Sequence, residues 1–156
     1  MAAPPHLLLV YGGHPGGRTE TLRRAVVAGA LGCGEAVELR ERPALQAGLD
    51  DLLWADGLLL GTPEHFGYMS GALKDFFDRT FYPAEGRTEG RPYGLFVSAG
   101  NDGSGTVAAV ARIATGYRWS PIAAPLVVVG APDAAALARC EELGATLAAG
   151  LAAGIF

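Results

Sequence analysis

Short apolar runs closed by glycine or proline alternate with helix-length patterns along the whole chain, and few folds accept that alternation. Residues 6–11 ("HLLLVY"), 56–61 ("DGLLLG"), 93–99 ("YGLFVSA") and 122–130 read as buried strands, and residues 35–40 ("EAVELR") as a more exposed one. Between them, residues 18–31, 43–54, 70–81, 104–117 and 133–153 carry helical spacing. In 70–81, Leu73, Phe76, Phe77 and Thr80 share one side, and the pairs Lys74/Asp78 and Asp75/Arg79 are four apart. In 133–153, Leu137, Cys140, Gly144, Leu147 and Leu151 form the inner stripe. Near-continuous apolar strands alternating with helices require a parallel sheet covered on both faces. The 156 residues suit one α/β doubly wound domain over 1–156.

Composition narrows the function classes. Half of the residues are hydrophobic and 18% are charged, a globular balance. A net charge of −4 with no basic stripe argues against nucleic acid as a partner. The apolar runs are too short to span a membrane, and "MAAPPHLLLV" reads as a first strand and not as a signal peptide. Cys33 and Cys140 stand far apart and His6, His14 and His65 are scattered. That favours reduced thiols, no metal site and a cytoplasmic protein.

Doubly wound sheets bind ligands beyond the carboxyl ends of their strands. Three glycine-rich loops fall there: "GGHPGGRT", "GTPEHFGYMSG" and "SAGNDGSG". The first suits an anion, because its glycines free the backbone and the next helix aims N–H groups at it. It misses a triphosphate-binding P-loop by Arg18 in place of Lys, and no strand end offers an Asp for magnesium. In the third, Gly103-x-Gly105-x-x-Ala108 imitates a dinucleotide fingerprint on the wrong strand, with no acid ending the next one. Its glycines alternatively let backbone approach a flat ligand closely. In the second, Pro63, His65, Phe66, Tyr68 and Met69 are expected in one exposed turn, a surface for a flat apolar partner.

The stretch "GTPEHFGYMSGALKDFFDR" resembles the signature of the flavodoxin-like superfamily, in its NAD(P)H-dependent FMN reductase and quinone reductase branch. The order of the other two loops and the C-terminal segment "APLVVVGAPDAAALARCEELG" agree with it. The resemblance implies five parallel strands in the order 2-1-3-4-5 and an FMN cofactor, with NADPH or NADH as electron donor and a small-molecule quinone or flavin as acceptor. It places the FMN phosphate on His14, Gly16, Gly17, Arg18, Thr19, Glu20 and Thr21, with hydroxyls from Thr19 and Thr21. The ring is placed on Pro63, Glu64, His65, Phe66, Gly67 and Tyr68, and its polar edge on the backbone of Ala99, Gly100, Asn101, Asp102 and Gly103. His14 and Arg18 depart from the branch's usual hydroxyl and Asn.

Hydride chemistry belongs to the flavin, so no side chain is assigned as catalytic; His65 is read as a lining residue. The resemblance also implies a homodimer or homotetramer, with residues 82–92 and the last helix as candidate contacts. Two other readings stay open: an electron carrier, and a binding protein of this fold without its cofactor. A receiver domain is excluded, since the first and third strands end in Val10-Tyr11 and Leu60-Gly61 and not in Asp.

Overall fold

The computed structural model describes residues 3–32, 34 and 37–156. The elements run β1 (His6–Tyr11), α1 (Arg18–Gly32), β2 (Glu38–Pro43), α2 (Leu49–Trp54), β3 (Gly57–Pro63) and α3 (Gly71–Ala84). There follow β4 (Pro92–Ala99), α4 (Ser104–Tyr117), β5 (Ser120–Pro121), β6 (Leu126–Val129) and α5 (Ala134–Ala152). Every strand pairing is parallel. The order is β2-β1-β3-β4, with β5 and β6 both on the outer edge of β4. This is the expected 2-1-3-4-5 arrangement with its fifth position shared by two segments.

The strands face two cores because successive side chains point to opposite faces. Leu8 and Val10 of β1 join Leu73, Phe76 and Phe77 of α3 and Val110 of α4 on one face. Leu7 and Leu9 join Leu22 and Val26 of α1 and Cys140, Leu143 and Leu147 of α5 on the other. The stripe expected on α3 is buried at all four positions. The four-apart ion pairs form as expected, Lys74–Asp78 and Asp75–Arg79 each closing at 2.6 Å. Helices α1 and α5 touch backbone to backbone: a Cβ on Gly29 would lie 1.9 Å from the Glu141 carbonyl oxygen, and one on Gly144 2.0 Å from that of Val26.

Several expected boundaries move. The fifth strand expected over 122–130 is shorter, Leu126–Val129, and a two-residue strand, Ser120–Pro121, precedes the expected range, each next to a proline. Proline has no N–H to give the ladder, which confines it to edges and breaks. The second strand begins at Glu38 instead of residue 35; Glu35 and Ala36 lie outside the described residues. The helix expected over 43–54 forms only from Leu49, after a turn that follows Pro43 and a Gly48 cap. Helix α3 continues through Pro83 to Ala84, so the expected loop over 82–92 starts later and ends where β4 begins at Pro92.

No helix among the described residues is long and apolar enough to cross a membrane. Cys140 is free and buried, and burial pushes its thiol up to about 11; Cys33 lies outside the described residues. Burial likewise pushes the Tyr117 phenol up to about 12, although its contact with Thr80 opposes the shift. Both groups therefore lose protons in the unfolded chain first, from their ordinary values of 9.0 and 10.0. Stability is full below those values and falls as pH rises through the window up to the native ones. Urea midpoints at pH 8 and pH 10.5 are expected to show a clear loss, and Tyr117→Phe a shallower one; an equal slope in both proteins would refute the assignment to Tyr117.

Candidate functional site

The loops after β1, β3 and β4 meet at the carboxyl edge of the sheet. Gly12 starts the first one close against the second: its N–H donates to the Gly61 carbonyl at 2.9 Å, and a Cβ there would strike the Ser70 hydroxyl at 2.1 Å. Ser70 caps α3 by accepting from the Leu73 N–H at 3.2 Å, while its own N–H donates to the Thr62 hydroxyl at 2.9 Å. So Thr62, Ser70 and Gly12, the outer residues of two glycine-rich loops, are the scaffold that joins them.

The helix openings beyond β1 and β4 differ in what they leave free. At α4, Glu64 accepts from the Asn101 N–H at 2.7 Å and the Gly103 N–H at 3.0 Å. Asp102 accepts from the Ser104 N–H and hydroxyl at 3.0 and 2.9 Å, and these bonds hold its carboxyl below the usual range. Glu64 and Asp102 thus take the N–H groups of Asn101, Gly103 and Ser104, while those of Gly105 and Thr106, like the first three of α1, have no acceptor among the described residues. At α1, the N–H groups of Arg18, Thr19 and Glu20 open the helix and have no acceptor among the described residues. Thr19 is 3% exposed, and its hydroxyl also has no hydrogen-bond partner there. Unpartnered donors in such a setting suit an anion.

The rest of this first loop is shaped by its own contacts. Gly13 and Gly16 take φ of +100° and +78°, which a side chain rarely adopts. The Gly16 N–H donates to Glu20 at 2.8 Å, and the Gly17 N–H to the His14 carbonyl at 3.1 Å. Glu20 also lies 3.5 Å from Arg23 and 3.7 Å from Arg24. Thr21 is exposed, and its hydroxyl donates to Gly17 at 3.5 Å, which leaves Thr19 as the hydroxyl at the open donors. Arg18 is exposed with no ion pair among the described residues.

The loop after β3 presents a tight hairpin. His65 and Tyr68 exchange two backbone bonds of 2.8 and 2.9 Å around Phe66 and Gly67, both at positive φ (53° and 71°). Left-handed backbone costs a bulky residue on the order of 1 kcal/mol. The turn nonetheless holds the Phe66 side chain wholly out in solvent, with Tyr68 40% exposed beside it. Neither aromatic folds back onto the core. Met69, expected in the same exposed turn, is buried at 2% because the chain turns inward there to start α3. His14 and His65 bring the first and second loops together, their rings 6.3 Å apart.

All three expected loops therefore converge, but two groups of residues have another use than expected. Glu64 spends both carboxylate oxygens inside the protein. The glycines of the false dinucleotide fingerprint receive protein: a Cβ on Gly105 would lie 2.1 Å from the Gly67 carbonyl oxygen, and one on Gly103 2.8 Å from Val127. Thr106, with no signal in the sequence, donates to the Tyr68 carbonyl at 3.0 Å. The open donors, the buried Thr19 hydroxyl and the exposed aromatics fit an FMN phosphate and ring. At the polar edge, Asn101 and Gly103 already have partners.

Known proteins share the fold. A flavodoxin from an archaeon superposes with a TM-score of 0.81 at 20% identity, covering 94% of this chain and 98% of its own. A flavodiiron core from Synechocystis gives 0.80 at 20% identity, over 98% of this chain and 37% of that one. Both show a flavodoxin-like fold. In sequence, a flavodoxin of Aquifex aeolicus is 34% identical over 64% of this chain and 53% of its own length. An NAD(P)H dehydrogenase (quinone) of Paracoccus denitrificans is 31% identical over 64% and 56%. This chain spans about half the length of these two relatives. The profile described as NADPH-dependent FMN reductase matches residues 21–133, starting just after the open donors of α1. With more than half of its length matched, the chain belongs to the NADPH-dependent FMN reductase family.

Proposed function

We propose that the protein is an FMN-binding oxidoreductase that takes electrons from NADPH or NADH and passes them to a quinone or flavin acceptor. The observation that carries this reading is the opening of α1: the N–H groups of Arg18, Thr19 and Glu20 and the Thr19 hydroxyl have no protein acceptor among the described residues, and an exposed aromatic hairpin stands on the neighbouring loop. Family membership supports FMN as the ligand. Bound FMN supplies the redox chemistry itself.

The chain's own residues bind and orient. The N–H groups of Arg18, Thr19 and Glu20 and the Thr19 hydroxyl hold the phosphate, aided by the positive end of α1. Phe66 and Tyr68 offer the flat ring an apolar face, and His14 and His65 border the opening between the two loops. No side chain is assigned a proton transfer. The proposal extends to a cytoplasmic homodimer or homotetramer acting on small molecules, away from nucleic acid and membranes; sedimentation of the purified protein tests the assembly.

Purified protein is expected to be yellow, or to quench added FMN fluorescence, and NADPH or NADH is expected to bleach it. Thr19→Ala removes one hydroxyl bond to a charged group and is expected to weaken FMN binding about tenfold. Colourless protein that leaves FMN fluorescence unchanged would sink the reading; an unaltered Thr19→Ala affinity would contradict the phosphate placement. The similarity to the Aquifex flavodoxin supports one second reading, an electron carrier. Flavin that binds but is reduced by neither nicotinamide would favour it.

A further inference from the structure

Glu64 stands in the hairpin loop after β3, yet its bonds reach residues 37 and 39 positions later. One oxygen takes the Asn101 N–H and the other the Gly103 N–H. An ionised carboxylate only accepts, so it matches two converging donors as no amide can. It forms no ion pair among the described residues, and the nearest charged group on the adjoining loop, Asp102, is also negative. Its charge is balanced only by backbone donors and the positive end of α4.

We infer that Glu64 is a positioning residue that also sets the reducing power of the bound flavin; this rests on the FMN reading above. Glu64 latches the wall after β3 to the wall after β4. In doing so it occupies two N–H groups that would otherwise stabilise negative charge on the polar edge of the ring. It also adds a fixed charge of its own beside that edge. Reduction of flavin places extra negative charge on the ring system, so this arrangement favours the oxidised cofactor and makes the reduced one the stronger donor. The hairpin and the Gly100–Gly103 loop are thus coupled by a group that acts on redox balance as well as shape.

Charge and geometry can be separated by substitution. Glu64→Gln keeps the length, loses the charge and frees one N–H, because its NH2 cannot accept. Glu64→Asp keeps the charge on a shorter stem. The potential of protein-bound FMN, measured against a reference dye without oxygen, is expected to rise in Glu64→Gln. A tenfold gain in affinity for reduced over oxidised FMN corresponds to about 30 mV for a two-electron couple. Glu64→Asp is expected to stay near the wild-type potential. In the FMN-free protein, amide exchange at Asn101 and Gly103 is expected to be slow in wild type and faster at one of them in Glu64→Gln. Equal potentials in all three proteins, with oxidised and reduced affinities falling together, would show a shape role alone and overturn the inference. So would fast exchange of both amides in wild type. Wild-type protein that takes up no FMN would instead overturn the functional reading, and with it this inference, whereas FMN uptake with an unmoved potential overturns the inference alone.

Discussion

Gly144→Ala is expected to destabilise the fold by about 2 kcal/mol net, although it places a better helix former inside a helix. Overpacking a tight contact costs about 3 kcal/mol, and the gain of Ala over Gly in a helix returns about 1 kcal/mol. The new methyl would sit 2.0 Å from the Val26 carbonyl oxygen and 2.9 Å from the Ala30 nitrogen. Both are helix backbone and cannot rotate aside, so α1 and α5 must separate along their whole contact. Gly29→Ala meets the Glu141 backbone in the same interface at 1.9 Å and is expected to cost a similar amount. The double substitution should cost less than the sum, since helices moved apart by one methyl have room for the next. Gly32→Ala, also in α1 but with nothing within 4 Å, serves as the control and should be neutral or stabilising. Urea denaturation of the four variants reads this directly. Stabilisation by Gly144→Ala would mean that the helices are not in backbone contact.

Gly105→Ala is expected to leave stability nearly unchanged and to weaken FMN binding at least about tenfold, equivalent to about 1.4 kcal/mol. Gly105 is exposed in the first turn of α4, where Ala is ordinarily harmless. Here its methyl would lie 2.1 Å from the Gly67 carbonyl oxygen. The hairpin around Phe66 and Gly67 is closed by two bonds and tied to α4 through Thr106, so it must shift as a unit. The shift moves Phe66 and Tyr68 relative to the Thr19 donors that hold the other end of the ligand. A flavin touched at both ends loses one of them. Fluorescence titration with FMN, beside a melting curve, checks both halves. Retained affinity would show that the hairpin position does not matter to the ligand.

The parts of the fold legible in the sequence are those governed by local periodicity. Helix α4 and strand β1 appear at the expected residues, β1 as an apolar run between Pro5 and Gly12 and α4 as a helical pattern that starts after Gly103. The burial of Leu73, Phe76, Phe77 and Thr80 in α3 follows from 3.6-residue spacing alone. Edge elements were less legible. Strand β2 is only half-buried, so its alternation does not fix its ends. The fifth strand is shorter than its apolar run and a separate two-residue strand precedes it, which an apolar count does not register.

Within the candidate site, the three loops and their aromatics could be found from glycine content and position after strands. Their inner wiring could not. Glu64 looks in sequence like any acid in a turn, and its partners come from the separate loop after β4. Gly105 looks like part of a nucleotide fingerprint until the Gly67 carbonyl is seen against it. Met69 has the same character as its exposed neighbours but turns into the core.

The sequence by itself determined the layered α/β architecture, the end of the sheet where ligands gather and the residues that supply an anion loop and a flat apolar face. These follow from hydrophobic period, glycine placement and helix polarity, all of which act over a few neighbouring residues. The tertiary structure alone decided which backbone donors at the two helix openings are taken and which stay free, because hydrogen-bond donors are assigned by whatever carboxylate folds against them. Glu64 and Asp102 take the N–H groups of Asn101, Gly103 and Ser104 ahead of α4, Glu20 takes that of Gly16 ahead of α1, and those of Arg18, Thr19 and Glu20 have no acceptor among the described residues, a division of donors that no local sequence pattern displays.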